Sequence, residues 1–398
     1  MLVNLSLCMI VKNEELSLPQ CLESVKDVVE EMVILDTGST DNTIKVAQDF
    51  GAKVESFSWC DDFAAARNQA LSYVEGEWVL VLDADEVLTR EIIPSIQQAI
   101  ANPHHLVINL VRQEVGASQS PYSLISRLFR RHPEIKFTRP YHAIIDDSVS
   151  KLQEKETQWQ VVNLPSVGIL HYGYQPGTIA AKDKASRAQK SMERYLATNP
   201  NDPYVCSKLG ALYVNIGRLE EGLRLLERGL QNSDGNEAPL LFELNYHLGN
   251  VYTRRQNPNQ AAIHYQQALQ QPILPQLKLG AYNNLGGLLK AVGQLPMAKK
   301  AFDQALKIDP NFAIAYYNLG MTLKAMGLFT EAIAAYQKAI TLIPDYPWAY
   351  QNLGVTLLKI GKVTESLEAF QKAIALHESQ NPQEAKQLRQ GLEEMGLY

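Results

Sequence analysis

The sequence predicts an α/β domain with a mostly parallel sheet over residues 1–176, followed by an all-α solenoid over residues 177–398. In the first part, short apolar runs alternate with amphipathic segments, which is the pattern of strands and helices in a parallel sheet. In the second part, the same residue types return every 34 positions, which indicates a helical repeat array. A chain of 398 residues that is 46% apolar can form two or three packed domains.

Four apolar runs predict the first four strands, and an amphipathic segment follows each of the first three. In chain order these elements are strand Leu5–Val11, helix Asn13–Val28, strand Met32–Leu35, helix Asp41–Phe50, strand Ala52–Phe57, helix Asp61–Tyr73 and strand Trp78–Leu82. Polar residues follow each strand, and parallel strands bind ligands at the edge where their carboxyl ends meet. Three later strands are predicted at Leu106–Val111, Ser123–Phe129 and Val167–Tyr172, with a polar surface segment at Asp146–Gln160.

The second part repeats with a fixed period. Tyr282, Tyr316 and Tyr350 are 34 residues apart, and a Leu–Gly pair keeps the same period at 285–286, 319–320 and 353–354. An aromatic residue, Leu–Gly, small residues and a closing proline in a 34-residue unit make up the tetratricopeptide pattern of paired helices. Clear repeats are predicted at 279–312, 313–346 and 347–380, degenerate repeats from about 203 and about 242, and a capping helix at Glu384–Gly396.

Composition and charge narrow the function classes. The net charge of −6 makes nucleic acid and anionic membrane surfaces poor partners. The apolar start runs directly into charged residues, unlike a signal peptide, and no stretch is long and apolar enough to suggest a membrane span. Four scattered cysteines are too few for a disulfide framework and suit a reducing compartment. We therefore expect a cytoplasmic protein.

The most informative local feature is the end of the fourth predicted strand, where Asp83 and Asp85 are two residues apart. Carboxylates in this arrangement can hold one divalent ion against a diphosphate, and oxygen ligands favour Mg²⁺ or Mn²⁺. Such an ion would neutralise charge on a leaving nucleotide diphosphate. The alternative is that Asp83–Ala84–Asp85 forms only a solvated loop at the strand end.

Three further segments occur in order with this one: Leu7–Glu14, Val33–Thr43 and Asp61–Asn68. Together with Leu82–Glu86 they closely resemble the family 2 glycosyltransferases of the GT-A fold, in the bacterial branch that carries C-terminal tetratricopeptide (TPR) repeats. The resemblance covers nearly the whole chain. It implies a sugar-transferring enzyme that uses a nucleotide diphosphate sugar, expected to be a UDP-sugar, together with a divalent metal.

The resemblance also assigns site residues. It places Asp36 and Gly38 by the nucleotide base and ribose, bordered by Val11 and Asn13. Arg67 and Asn68 match a pair near the nucleotide and diphosphate, while Asp83, Asp85 and His171 match groups near the metal and diphosphate. Each assignment has a structural alternative: Asp36 could cap a helix and Gly38 could serve a turn. Arg67 could pair with Asp61 or Asp62, and His171 could be a core histidine.

The resemblance fails at the catalytic base. Inverting relatives use a carboxylate to accept the proton of the attacking nucleophile. The segment Arg127–Arg130 matches the family, but Arg139 stands in place of an expected glycine and Ala143 in place of the expected glutamate. The base is therefore expected to be Asp146, Asp147 or His142, unless activity is reduced or lost.

The repeats suggest a partner site. Asn284, Asn318 and Asn352 are 34 residues apart on the predicted inner helix of each repeat, where a row of amides could bind the backbone of a protein or peptide. The protein O-GlcNAc transferase is similar in using a repeat array in this way. The alternative is that asparagine serves capping or packing. The sequence thus predicts an inverting glycosyltransferase with a protein-binding array, or else an interaction scaffold with a degenerate transferase domain.

Overall fold

The computed structural model describes residues 4–117, 119–173, 180–235 and 237–397. The chain divides into two compact units, Met1–Asn232 and Ser233–Tyr398. The domain boundary predicted between residues 176 and 177 lies outside the described residues and stays a prediction. None of the described helices is both long and apolar enough to cross a bilayer.

The first unit contains the sheet and the first helices of the array. Its strands are β1 Leu5–Val11, β2 Glu31–Asp36, β3 Lys53–Ser56, β4 Trp78–Val81, β5 Glu86–Leu88, β6 His105–Glu114, β7 Tyr122–Arg130 and β8 Gln160–His171. Its helices are α1 Leu18–Val25, α2 Thr43–Asp49, α3 Phe63–Leu71, α4 Ile93–Ile100, α5 Asp146–Lys155, α6 Ala180–Thr198, α7 Pro203–Asn215 and α8 Leu219–Asn232.

Within the described residues, the strands form one sheet in the order β3-β2-β1-β4-β7-β6-β8-β5. β1 pairs in parallel with β2 and β4, and β2 pairs in parallel with β3, which confirms the predicted parallel core. β7 lies antiparallel to both β4 and β6, while β8 runs parallel to β6 and antiparallel to β5. The sheet is therefore mixed, consistent with the GT-A fold.

Both faces of the parallel strands are buried, because side chains along a strand alternate between faces. Leu7 and Met9 of β1 pack into a core that includes helices α1 and α4. Cys8 packs on the opposite face, in a core that includes α3 and α5. The polar surface segment predicted at 146–160 thus begins with a helix that buries Val149 and Leu152.

The second unit consists of paired helices. They are α9 Ala238–Arg254, α10 Pro258–Gln270, α11 Leu279–Ala291, α12 Leu295–Ile308, α13 Ala313–Ala325, α14 Phe329–Leu342, α15 Pro347–Lys359, α16 Val363–Gln380 and α17 Pro382–Glu394. The three clear repeats correspond to α11–α12, α13–α14 and α15–α16. The helix α17 supplies the expected cap.

The repeated glycine has a packing reason. A Cβ atom on Gly286 would lie 2.7 Å from the ring of Phe302, and one on Gly320 would lie 2.6 Å from the ring of Tyr336. Both rings are fully buried between the two helices of their repeat. The Leu–Gly pair is therefore required for the close approach of paired helices, as the TPR pattern predicts.

Candidate functional site

The ends of β1 and β2 bring together four residues that are predicted to lie by the nucleotide. Val11 is the register partner of Asp36, whose carboxylate accepts hydrogen bonds from the backbone N–H of Gly38 at 2.9 Å and of the next residue at 3.1 Å. Gly38 has φ of +101°, a conformation that favours glycine. Asn13 accepts a hydrogen bond from the Thr40 backbone at 2.7 Å, which ties the two strand ends together. The arrangement is a preformed polar turn at the sheet edge.

Asp83 lies at the end of β4 and is held by two arginines. Its carboxylate lies 2.9 Å from Nη2 of Arg67 and 3.0 Å from Nη2 of Arg127. Burial acts to raise the pKa of Asp83, but the charges of Arg127 and Arg67 outweigh it and hold the pKa well below its usual range. The backbone N–H of Asp83 donates to the fully buried carboxylate of Glu86 at 2.9 Å. Asp83 is therefore ionised and fixed in place.

A chain of alternating charges runs from Asp85 into the sheet. Nε2 of His171 lies 3.2 Å from Oδ2 of Asp85, and Nδ1 of His171 hydrogen-bonds Glu114. Arg112 pairs with both Glu114 and Glu86: its Nη2 lies 2.8 Å from Oε1 of Glu114, and its Nη1 lies 2.9 Å from Oε1 of Glu86. Burial acts to lower the pKa of His171, but its hydrogen bonds to Asp85 and Glu114 outweigh it and raise the pKa to about 9. The imidazole is consequently oriented from both ring nitrogens.

The predicted metal residues are only partly brought together. In the described part of the chain, no three His, Cys, Asp or Glu side chains converge as a metal-binding group. Asp83 faces the arginines, whereas Asp85 and His171 lie side by side. A Cβ atom on Gly173 would lie 2.6 Å from Nε2 of His171 and 2.8 Å from Oδ2 of Asp85, so glycine keeps the space beside this pair open.

That pair nevertheless fits a divalent cation. Mg²⁺ is commonly bound by one or two protein side chains together with substrate phosphates. A histidine ligand typically has its other nitrogen hydrogen-bonded to a carboxylate, as Glu114 does here for His171. Asp85 and His171 are therefore the residues that would hold the ion, which would displace the proton that Nε2 of His171 shares with Asp85. Their oxygen and nitrogen donors suit Mn²⁺ at least as well. Asp83 as a direct ligand stays a prediction.

Arg67 and Asn68 on α3 both contact the segment of residues 137–145. The amide of Asn68 donates to the Phe137 carbonyl at 2.9 Å and accepts from the Phe137 N–H at 2.8 Å. Arg67 donates to the carbonyl of Ala143 at 3.2 Å and lies over the ring of Phe137. Both side chains therefore position this segment, and their contact with a nucleotide stays a prediction.

The three candidate bases differ in their surroundings. Asp146 is exposed and accepts a hydrogen bond from the Ser126 hydroxyl at 3.0 Å, and desolvation by the surrounding protein raises its pKa. Asp147 is paired with Arg139 at 2.7 Å. His142 is exposed, with φ of +51°, and its ring packs edge-on against that of the neighbouring tyrosine. Asp146 is thus the carboxylate with the least competition for its oxygens.

Arg139, which stands in place of the family's glycine, links this segment to the first helices of the array. It has a positive φ of 72°, as the glycine would allow. Its guanidinium pairs with Asp147 and also with Asp202, whose Oδ2 lies 3.0 Å from Nε of Arg139. The same group lies over the ring of Tyr204, 4.9 Å from the ring centre. Asp202 also caps α7 by accepting from the Val205 N–H at 2.9 Å. The substitution of glycine by arginine is therefore matched by contacts that glycine could not make.

Sequence reasoning missed three charged residues of this network: Arg112, Glu114 and Asp202. Arg112 and Glu114 are two residues apart at the end of an apolar strand, so they share one face. Two charges on one face of an otherwise buried strand are the signal that could have identified them. Asp202 carried only the signal of a helix cap before a proline.

The asparagine row is used within the array. The side-chain amides of Asn284, Asn318 and Asn352 each donate to a side chain of the preceding repeat, namely Asn250, Asn283 and Tyr317. These contacts support the packing interpretation of the row. A role in binding peptide backbone stays a prediction.

The two parts of the chain match different families of known proteins. Residues 6–158 match the model for Glycosyl transferase family 2, while residues 286–327 and 311–379 match models for TPR repeats. The chain therefore contains a family 2 glycosyltransferase domain at residues 6–158 and TPR repeats between residues 286 and 379. Its similarity extends over most of the chain to a TPR repeat-containing protein of Synechococcus elongatus, with 45% identity over 311 residues, which is 78% of this chain and 76% of that protein.

Other similarities cover shorter stretches. The glycosyltransferase SunS of Bacillus subtilis is 27% identical over 227 residues, which is 56% of this chain and 52% of SunS. The chain thus spans about half the length of that relative. Among solved structures, the match to MamA has 25% identity and a TM-score of 0.39. It covers 46% of this chain and 97% of MamA. A second match is YrrB, described as a TPR protein with an unusual peptide-binding site. This match has 21% identity and a TM-score of 0.41, and it covers 51% of this chain and all of YrrB.

Proposed function

We propose that this glycosyltransferase moves a sugar from a nucleotide diphosphate sugar, expected to be a UDP-sugar, to a protein or peptide acceptor with inversion at C1. The observation that carries the proposal is the oriented Asp85–His171 pair beside Gly173. Family 2 enzymes generally use nucleotide sugars and divalent metals, and this pair supplies suitable donors at the predicted sheet edge.

The chain's own residues have distinct parts in the proposed reaction. A divalent ion held by Asp85 and His171 would neutralise the diphosphate that leaves. The turn that holds Asp36, Gly38 and Asn13 binds the nucleoside. Arg67 and Arg127 add positive charge at the same edge, held in place by Asp83.

The base of this reaction is assigned to Asp146. As the acceptor nucleophile attacks C1 of the sugar, the bond from C1 to the diphosphate oxygen breaks and the nucleophile's proton passes to the Asp146 carboxylate. The pKa of Asp146 is raised, so its carboxylate accepts a proton more readily than that of an ordinary aspartate does. Ala143 in place of glutamate favours the alternative, an interaction scaffold with a weak or inactive transferase domain.

The test is release of sugar from a panel of UDP-sugars in the presence of Mn²⁺. Asp85→Asn should reduce turnover at least about a hundredfold, because the cation loses its carboxylate. Asp49→Asn on the exposed side of α2 is the matched control and should retain turnover. If neither turnover nor metal-dependent binding occurs with any nucleotide sugar, the scaffold alternative stands.

We also propose that the protein resides in a reducing compartment, the cytoplasm. Cys8, Cys21 and Cys206 are buried free thiols, and Cys60 is an exposed one. An exposed unpaired thiol is compatible with a compartment that keeps cysteines reduced. Quantifying the thiols of protein isolated from its native cells under alkylating conditions tests this, since four free thiols are expected.

A further inference from the structure

The first helices of three consecutive repeats are free of acidic residues. The helices α11, α13 and α15 contain no aspartate or glutamate, and each carries a lysine in its last turn: Lys290, Lys324 and Lys359. We call these three residues the lysine row. The second helices of the same repeats, α12, α14 and α16, each contain at least one carboxylate. Negative charge in these six helices is therefore confined to the second helix of each pair.

No carboxylate of the described residues forms an ion pair with the lysine row. Nζ of Lys324 donates to Oδ1 of Asn352 at 2.6 Å, and Nζ of Lys290 lies 3.5 Å from Sδ of Met321. Nζ of Lys359 lies 5.9 Å from the centre of an aromatic ring. On α12, by contrast, a lysine and an aspartate one turn apart pair at 2.8 Å. The row consists of cations held by neutral groups.

The three cations lie close enough to act on one another. Burial lowers the pKa of Lys290, and burial lowers that of Lys324, which the positive charges of Lys359 and Lys290 lower further. A helix dipole favours a lysine in the last turn, which explains one lysine per helix. It does not explain why carboxylates are excluded from all three helices. Partly dehydrated cations that repel one another are stabilised when an anion binds between them.

The spacing of the row indicates what kind of anion fits. Packed helices lie about 8–10 Å apart, so cations on successive first helices repeat at about that distance. A polyproline II segment has three residues per turn and rises about 3.1 Å per residue, so every third side chain returns to one side after about 9 Å. A peptide with an acidic residue at every third position therefore matches the row.

We propose that the lysine row binds an extended acidic segment of the protein acceptor or partner. This inference rests on the proposed role of the repeats in binding a protein. Backbone recognition by the asparagine row is not needed, because the amides of Asn318 and Asn352 already donate to the preceding repeat. Selection comes from charge complementarity along α11, α13 and α15.

The experiment measures fluorescence anisotropy of a labelled ten-residue peptide with glutamate at every third position, titrated with the full chain. The double variant Lys290→Gln with Lys324→Gln should weaken binding at least about tenfold, since each removes a charged contact. The matched control is Lys300→Gln with Lys307→Gln, two exposed lysines of α12. This control should bind the peptide as the wild type does.

Several outcomes would overturn the proposal. A peptide with glutamine in place of glutamate should bind at least about tenfold more weakly, and equal affinity contradicts the role of charge. Equal loss in the α12 control, or equally tight binding of a single-stranded oligonucleotide, would assign the effect to general polyanion attraction. If the double variant fails to fold, the salt dependence of wild-type binding is the test instead. Peptide binding that does not weaken as salt is added would overturn the proposal. Peptide binding is measured without a sugar donor, so loss of the proposed transferase activity leaves this test unaffected.

Discussion

The sheet edge and the repeat array differ in the partners of their charged residues. At the sheet edge, Asp83 and Glu86 each contact an arginine, and His171 lies between two carboxylates. In the array, the lysine row contacts an amide, a thioether and an aromatic ring. The cations named at the edge each contact a carboxylate, whereas no carboxylate of the described residues pairs with the lysine row.

Under the two proposals above, this difference follows from the ligand of each region. A site for a small charged ligand needs donors that are fixed before the ligand arrives, and paired charges provide that rigidity. A surface for a polypeptide needs charge that stays available, because its counterions are supplied by the partner. Three substitutions test the comparison, in decreasing order of expected effect.

The largest effect is expected at Asp146, the edge carboxylate whose hydrogen bond comes from a hydroxyl. Asp146→Asn should lower kcat/KM at least about a hundredfold once an acceptor is known, because an amide cannot accept the proton. Only the ionised base is active, so activity rises as pH rises through the pKa of Asp146. Since that pKa is raised, the rise occurs at higher pH than for an ordinary aspartate.

Asp147→Asn is the matched control for this prediction. Asp147 is paired with Arg139, so Asp147→Asn should reduce stability while activity is retained. The acid limb of its pH profile should move to lower pH, because the charge of Asp147 helps to raise the pKa of Asp146. If Asp146→Asn retains both full activity and the acid limb, the base is another group. A loss of activity in Asp147→Asn as large as that expected for Asp146→Asn would assign the role to Asp147.

An intermediate effect is expected from Glu86→Gln, because Glu86 is completely buried and binds both Arg112 and the Asp83 backbone. Removing one partner of a buried pair costs about 3–5 kcal/mol in the free energy of unfolding. We expect a loss at the low end of this range, because Arg112 still pairs with Glu114. Urea denaturation measures it. Glu23→Gln, which breaks a solvent-exposed pair with Lys26, should leave the midpoint unchanged.

The smallest effect is expected from Lys324→Gln, measured as stability in the absence of any peptide. Its ammonium pairs with no carboxylate of the described residues, and glutamine can still donate to Asn352. The free energy of unfolding should change by no more than about 0.5 kcal/mol. A loss comparable to that of Glu86→Gln would show that the row is a structural part of the array, which removes the contrast between the two regions.

Much of the fold is local in origin and therefore readable from sequence. The strands β1, β2 and β4 are continuous apolar runs, and the Leu–Gly spacing of the array reflects contacts within single repeats, such as Gly320 against Tyr336. The helix α5 was not predicted because its sequence is polar apart from Val149 and Leu152, which are buried only once the sheet has formed. The antiparallel strands depend on register, which apolar patterning does not specify.

The candidate site divides in the same way. The pairing of Asp85 with His171 was accessible through the resemblance, because both lie at the ends of recognisable motifs. The contact of His171 with Glu114 joins residues 57 positions apart and depends on the register of β8 with β6. Arg67 and Arg127 lie in segments that match the family, yet the sequence did not show that both pair with Asp83.

The Arg139–Asp202 pair determines where such a chain can be divided into fragments. A gene divided near codon 177, where the sequence pattern changes, would separate Arg139 from Asp202 and remove the helices α6 and α7 against which Tyr141 packs. The exchangeable fragment is therefore residues 1–232, which carries the first helices with it. Recombination between relatives should preserve function only where arginine and aspartate are inherited together.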